Sequence, residues 1–179
     1  MRKFLWSFLE ILQTVAIAAA AVFLVRTFIA QPFLVSGSSM EPNFYNKDYL
    51  LVDELSYRLR EPVRGEVVVF KYPGDHKSFY IKRIIGLPGE RVVVDKGQVG
   101  IYKDGKKVVL KEEYLRQAMN SGYSEITLDK DQYFVLGDNR NFSFDSRSWG
   151  PLRRPEIIGL VRVRVWPINH AMAFGQPTY

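Results

Sequence analysis

The sequence predicts a mainly β chain, an antiparallel β-barrel or sandwich, preceded by one N-terminal transmembrane α-helix. Short runs rich in β-branched and aromatic residues alternate with turn-forming Pro, Gly and Asp residues, a pattern typical of antiparallel strands. The beginning of the chain is instead a long apolar stretch of helical length. With 47% hydrophobic and 25% charged residues among 179, the composition is that of a folded protein and not of a disordered polymer.

The apolar stretch at residues 4–25 carries a single formal charge, that of Glu10. As a helix these residues measure about 33 Å, enough to cross a hydrocarbon core of about 30 Å. A cleavable secretory signal is the alternative, but the apolar run continues beyond the alanine cluster at 18–21. More positive charge precedes the stretch than follows it, so we expect the N-terminus in the cytoplasm and the remainder outside.

Two segments are therefore expected: a cytoplasmic N-terminus with a membrane anchor at 1–26, and an extracytoplasmic β-rich domain at 27–179. A small insertion of a hairpin and a helix is expected within 91–131. The predicted helix covers 111–119, with acidic residues in its first turn. Strands are predicted at residues 49–52, 66–72, 79–85, 91–94, 132–136 and 158–166.

The net charge, the absence of cysteine and the small number of histidines exclude several classes of function. The 25 Lys and Arg against 19 Asp and Glu give a net charge of +6, which suits anionic lipid or nucleic acid. An extracytoplasmic domain rarely meets nucleic acid, so we expect none as a partner. The absence of cysteine excludes disulfides, thiolate metal sites and a cysteine nucleophile. The two histidines, His76 and His170, are distant in sequence, and neither a metal nor another cofactor is expected.

Residues 36–42 group three serines around Gly37 and end in a proline. This composition predicts a constrained turn, and by itself it leaves two interpretations open. The turn either simply begins a strand or forms a nucleophile loop. In the second case the glycine allows a substrate backbone to approach, and backbone N–H groups face an oxyanion.

A lysine, Lys82, lies inside the apolar run at residues 80–86. Strand alternation places Lys82 on one face and Arg83 on the other. The lysine either projects into solvent from a half-buried strand or is itself buried. Burial would lower its pKa from about 10.4 towards 8 and make it a usable general base.

The segment at residues 137–147 is polar, short-chained and rich in Asn, Asp and Ser. It fits an ordinary loop, or a loop that supplies a hydroxyl to orient a base and a carboxylate–guanidinium pair to hold it. Together the three clusters suggest a Ser/Lys hydrolase. A Ser-His-Asp triad that uses His76 is the alternative, but the residues around this histidine are typical of an exposed turn.

In order and spacing, the motifs at 37–42, 82–90 and 137–147 resemble those of type I signal peptidases, bacterial membrane-bound serine proteases, and in particular the compact single-span branch. The resemblance covers nearly the whole chain after Arg26 and includes the preceding span. It implies a membrane-bound endopeptidase that removes signal peptides from preproteins through an acyl-enzyme.

The resemblance also implies residue roles. Ser39, the serine immediately before the methionine, corresponds to the nucleophile, and Lys82 corresponds to the general base. Ser143 corresponds to the serine that hydrogen-bonds this lysine. Asp145 and Arg147 correspond to a structural ion pair near the site. Two neighbouring residues, Asp138 and Arg140, match positions for which only a supportive role is implied.

The resemblance implies shallow substrate pockets that accept small side chains. At one position, residue 37, this chain departs from the sequence pattern of the family. Some members carry a serine where this chain has Gly37, so the Ser39 N–H is expected to bear more of the oxyanion. Residues 33, 35 and 37 alternate onto one face of an extended stretch. The pocket residues that the resemblance implies are Phe33, Val35, Gly37, Met40, Tyr80 and Ile81.

The expected partners are signal-peptide-bearing preproteins and the lipid bilayer, and the sequence predicts no oligomeric state. Two other classes of protein remain to be considered. A self-cleaving Ser/Lys repressor shares the dyad chemistry but would need a DNA-binding domain in place of the membrane span. A membrane-tethered, non-enzymatic β module for peptide binding would keep its role without Ser39 and Lys82.

Overall fold

The computed structural model of the chain describes residues 2–28, 30–116 and 122–175, with side chains for 6–22, 31–116 and 122–175. Three α-helices occur in this part of the chain: α1 Arg2–Phe28, α2 Ser56–Leu59 and α3 Ser146–Trp149. The strands are β1 Ala30–Leu34, β2 Tyr49–Asp53, β3 Val67–Lys71, β4 Phe79–Gly86, β5 Arg91–Asp95, β6 Gln98–Lys103, β7 Lys106–Val109, β8 Ser124–Thr127, β9 Gln132–Leu136, β10 Leu152–Arg153, β11 Ile157–Trp166 and β12 Met172–Ala173.

The larger sheet has eight antiparallel strands in the order β1-β2-β11-β3-β4-β9-β10, with β12 added beside β11. Strand β11 is the longest, and register shifts in its pairing with β2 and β3 mark irregularities that increase local twist. The sheet curls enough to bring the ring of Phe33 on β1 to 5.5 Å from that of Phe79 on β4. This curl leaves a cleft between the two strands.

The smaller sheet has four antiparallel strands in the order β7-β6-β5-β8. Its two hairpins turn at residues 96–97 and 104–105, where both central residues have positive φ and the second is glycine. That geometry matches the right-handed twist of the flanking strands. Buried apolar side chains from this sheet pack with others from β4 and β9, so one hydrophobic cluster joins the two sheets.

The prediction of a mainly β chain with antiparallel sheets is confirmed. The six predicted runs lie on β2, β3, β4, β5, β9 and β11. The predicted helix at 111–119 is wrong for 111–116, which form no helix, and 117–119 lie outside the described residues. Contacts of this segment with distant loops explain the difference: Glu112 pairs with Arg140, and the carbonyl of Tyr114 accepts a hydrogen bond from Asn43.

The predicted membrane span coincides with α1. Its ends, residues 4–5 and 23–25, lie outside the residues whose side chains are described. Within the described residues, no helix combines the length and the apolar character needed to cross a membrane.

Candidate active site

The loop between β1 and β2 carries the serine cluster. The N–H of Glu41 donates to the carbonyl of Ser38 at 3.1 Å and closes a tight turn around Ser39 and Met40. Met40 is 1% exposed and anchors this turn in the core. Gly37 has a φ of +101°, a conformation that favours glycine. The half-buried Ser39 therefore sits at a fixed point on the wall of the cleft.

Strand β4 brings its lysine to this serine. The amine Nζ of Lys82 lies 2.7 Å from Oγ of Ser39 and also donates to the carbonyl of Ile81 at 2.9 Å. Lys82 is only 4% exposed. Two residues that are 43 positions apart in sequence are thus in direct contact at the cleft.

Burial lowers the pKa of Lys82 from 10.5 to about 8, because the charged amine loses its hydration inside the protein. The carboxylates of Asp145 and Asp138 act in the opposite direction and raise this pKa, but by less than burial lowers it. Among the described residues, no carboxylate forms a salt bridge with the amine. A neutral form of Lys82 is therefore accessible near physiological pH.

The loop after β9 forms an ion pair with β4, the strand that carries the lysine. Asp138 is 4% exposed, and both of its oxygens accept from the guanidinium of Arg83, at 2.8 and 2.6 Å. The side chain of Asn43, just after the serine turn, also donates to Asp138, at 2.8 Å. One buried carboxylate thus connects β4 to the nucleophile loop, a much larger role than the supportive one implied by its motif.

The expected ion pair between Asp145 and Arg147 is present in the same loop. Arg147 donates through Nε and Nη2 to the two carboxylate oxygens, each at 2.8 Å. The carboxylate also accepts from the N–H of Gly137 at 3.1 Å. Arg140, by contrast, pairs with Glu112 and donates to the carbonyl of Gly137. These contacts hold the loop after β9 in a single shape.

The structure contradicts the contact expected for Ser143. Its hydroxyl is buried and has no hydrogen-bond partner among the described residues, whereas the Lys82 amine donates to Ser39 and Ile81. The hydroxyl lies against Gly137: a Cβ on this glycine would be 2.2 Å from Oγ of Ser143. The loop conformation thus packs the hydroxyl against the backbone, which residue spacing could not have predicted.

The cleft beside the Ser39–Lys82 pair has a volume of about 470 Å³. Of the pocket residues expected from the sequence, five line it, and Met40 does not, because it is buried in the core beneath the loop. Phe142, which was not expected, is 73% exposed at the rim. The residues from the predicted set that line the cleft are Phe33, Val35, Gly37, Tyr80 and Ile81.

The cleft also exposes strand edges. Residues 79–82 of β4 pair with β3 on one side, whereas β9 pairs only with residues 83–86. Strand β1 is the end strand of its sheet. Within the described residues, the backbone at the start of β4 therefore has an open edge towards the cleft, to which an extended peptide could add as a strand.

Two contacts of this site were missed from the sequence, those of Asn43 and Asn139. The backbone N–H of Asn139 donates to the carbonyl of Ser39 at 2.9 Å, and its side-chain amide donates to the carbonyl of Ser38 at 3.1 Å. The signal available was weak: an Asp-Asn pair one residue after the end of the apolar strand β9. Such pairs are common in loops, so their long-range partners could not be inferred.

Comparisons with known proteins identify the family to which the chain is similar. The family model described as signal peptidase, peptidase S26 matches residues 8–166. The chain is 42% identical over 168 residues to a probable signal peptidase I-2 from Synechocystis sp., covering 90% of this chain and 75% of that protein. It is 36% identical over 177 residues to a signal peptidase I from Leptolyngbya laminosa, covering 94% and 85%. A crystal structure of a signal peptidase I from Enterococcus faecalis is similar with a TM-score of 0.49 and 29% identity, covering 57% of this chain and 97% of that one.

Proposed function

The chain belongs to the signal peptidase family of S26 peptidases, and on that premise we propose that Ser39 is its nucleophile and Lys82 its general base. The protein is a serine endopeptidase that removes signal peptides. The observation that supports this assignment most directly is the 2.7 Å contact between the serine Oγ and a buried lysine amine.

In the proposed mechanism, neutral Lys82 accepts the proton of the Ser39 hydroxyl while Oγ attacks the carbonyl carbon of the scissile bond. The C=O π electrons move to oxygen and form a tetrahedral oxyanion. Collapse breaks the C–N bond, and the lysine proton passes to the leaving amine. Water, deprotonated by the same amine, then attacks the acyl carbon. As the ester bond to Oγ breaks, the lysine returns the proton to Ser39 and the signal peptide is released.

The lowered pKa makes this step practical. With a pKa of about 8, roughly one Lys82 amine in ten is neutral at pH 7. At the ordinary pKa the neutral fraction would be about one in 3,000. Burial thus raises the concentration of the active base by more than two orders of magnitude, which supports lysine in a role that histidine performs elsewhere.

We propose that the signal peptide binds in the cleft as an extended strand along the open edge at residues 79–82. Alternate side chains of an extended peptide point to the same side, so those one and three positions before the cut would enter the cleft together. The cleft walls include Phe33, Val35, Tyr80 and Ile81, which support a preference for small, uncharged side chains.

We further propose that residues 1–26 form a cytoplasmic N-terminus and a membrane anchor, and that 27–179 form the extracytoplasmic peptidase domain. The apolar composition of 4–25 and the basic residues before it support this topology in a bacterial plasma membrane. Ser39 follows Arg26 by 13 residues, which reach at most about 45 Å when fully extended. The catalytic centre would then stay near the outer surface, where a membrane-embedded signal peptide ends.

Substitution of the two residues tests the mechanism. Ser39→Ala and Lys82→Ala should each abolish processing of a purified preprotein in detergent micelles, with an unchanged circular dichroism spectrum. Lys82→Arg should also fail, since a guanidinium does not lose its proton at a useful pH. Lys71→Ala is the matched control for the lysine variants, because its side chain is exposed. Full activity of Ser39→Ala or Lys82→Ala would overturn the proposed dyad.

A further inference from the structure

Asn139 holds two consecutive carbonyl groups of the nucleophile loop. Its side-chain amide donates to the carbonyl of Ser38 at 3.1 Å, and its backbone N–H donates to the carbonyl of Ser39 at 2.9 Å. The carbonyl of Ser38 also accepts from the N–H of Glu41. The peptide plane between Ser38 and Ser39 is thus fixed from two directions.

The orientation of that plane determines where the Ser39 N–H points. In a planar trans peptide the C=O of one residue and the N–H of the next point in opposite directions. Because the Ser38 carbonyl points towards Asn139 and Glu41, the Ser39 N–H points away from them. Among the described residues it donates to no protein acceptor, and Ser39 itself lines the cleft.

The side chain missing at Gly37 increases the importance of this N–H. No hydroxyl is available at position 37, and apart from the glycine and its two chain neighbours no described atom lies within 4 Å of the point where a Cβ would sit. The N–H of Gly37 is already used, since it donates to the side chain of Asn46 at 3.2 Å. The Ser39 N–H therefore remains as a backbone donor placed to stabilise negative charge at the cleft.

We propose that Asn139 is a positioning residue of the oxyanion hole. Its side-chain amide sets the orientation of the Ser38–Ser39 peptide, so that the Ser39 N–H is directed at the oxygen that becomes negative in the transition state. Its own position is secured by the neighbouring Asp138, which is buried and paired with Arg83. This proposal rests on the proposed function, because it assumes that Ser39 is the nucleophile.

The test uses Asn139→Asp in the full-length protein in detergent. The substitution keeps the shape of the side chain and the backbone N–H but replaces the amide donor by a carboxylate that repels the Ser38 carbonyl. Loss of a complete oxyanion donor costs about 10²–10³ in kcat, so misorientation of one should lower kcat by about 10- to 100-fold. KM for a preprotein should stay nearly unchanged, because an oxyanion exists only in the transition state.

A peptide aldehyde supplies the readout that a purely structural role would not change. In its adduct the serine Oγ bonds to the aldehyde carbon, the serine proton moves to Lys82, and the carbonyl oxygen becomes an oxyanion. Asn139→Asp should weaken aldehyde binding by the same factor as kcat, and leave the affinity for the corresponding unreactive peptide alcohol unchanged. Asn169→Ala, at an exposed asparagine distant in sequence, is the matched control.

Two results would overturn the role of Asn139. One is Asn139→Asp with full kcat and full aldehyde affinity. The other is equal loss of affinity for aldehyde and alcohol together with a lowered thermal midpoint, which indicates a structural role alone. If instead the proposed nucleophile were wrong, Ser39→Ala would still process the preprotein, and this result does not depend on the behaviour of the Asn139 variant.

Discussion

The two faces of strand β4 each bury one cation, but within the residues that the structure describes only one of these cations has a carboxylate partner. Arg83 is 6% exposed and Lys82 is 4% exposed, so the two lose hydration to a similar extent. Arg83 forms a two-point pair with Asp138, whereas the Lys82 amine contacts a hydroxyl and a carbonyl. Burial with a partner yields a permanent charge that holds the fold, and burial without one yields a base that loses its proton easily.

The largest predicted effect concerns the paired face. Arg83→Met leaves the buried carboxylate of Asp138 without its cation and should lower the free energy of unfolding by about 3–5 kcal/mol. Urea denaturation in detergent, followed by tryptophan fluorescence, measures this change. The double variant Arg83→Met/Asp138→Asn is the control and should recover part of the loss. Unchanged stability of the single variant would show that the pair has no such role.

The unpaired face should behave in the opposite way. The pKa of Lys82 is about 8 in the folded state, against 10.5 for an exposed lysine. The unfolded state therefore binds more protons between these pH values, and stability rises with pH across that window. At pH 7, Lys82→Met should raise the free energy of unfolding by up to about 3 kcal/mol while abolishing activity.

The same denaturation experiment near pH 10.5 provides the control for Lys82→Met. There the lysine is neutral in the folded state and half neutral when unfolded, so most of the gain should vanish. A variant that is less stable than the parent at pH 7 would mean that the contacts of the amine outweigh its desolvation.

The pH dependence of catalysis should follow from the same amine. Below a pH of about 8, kcat/KM should fall about tenfold per pH unit, as the neutral fraction of Lys82 decreases. Asp145→Asn should move this acidic limb to lower pH, because the Asp145 carboxylate raises the lysine pKa. A fluorogenic peptide assay between pH 5 and 10 measures both profiles. An acidic limb near pH 6.5 would indicate a histidine base instead.

The smallest effect is expected on the surface of the four-stranded sheet. Arg91 and Glu125 form an ion pair at 2.7 Å, but both side chains are well exposed. Solvent screens such pairs, so Arg91→Gln should leave the thermal midpoint nearly unchanged. A large drop would mean that an exposed ion pair stabilises the fold as strongly as a buried one. Burial would then not explain the contrast between the two faces of β4.

Strands β2, β3, β4, β9 and β11 of the large sheet could be predicted because buried β-branched runs between turns form a local signal, whereas β1, β10 and β12 were not predicted. Strands β6, β7 and β8 were not predicted individually, since they are short and partly or, in β7, wholly exposed, and so mix polar and apolar residues. The helix expected from Glu112 and Glu113 is absent at 111–116 because tertiary contacts override local propensity.

Residues of the site could be predicted from local sequence motifs, but their contacts with residues distant in sequence could not. The resemblance of three motifs implies that Ser39 is the nucleophile and Lys82 the general base. Strand alternation predicts that Lys82 and Arg83 lie on opposite faces of β4. The partner of Arg83 is 55 residues away, so its pairing with Asp138 follows from sheet closure and not from spacing. The same limitation explains the incorrect contact expected for Ser143.

Closure of the curled sheet has a consequence for the life of the enzyme. A newly made chain carries an ordinary serine and an ordinary, fully protonated lysine, and neither threatens nearby polypeptides. The pair becomes reactive only in the folded state, where β4 brings Lys82 to Ser39 and burial lowers the lysine pKa, so folding is itself the activation step. An agent that loosens the packing of β4 against the serine loop would therefore abolish the protease activity while most strands remain folded.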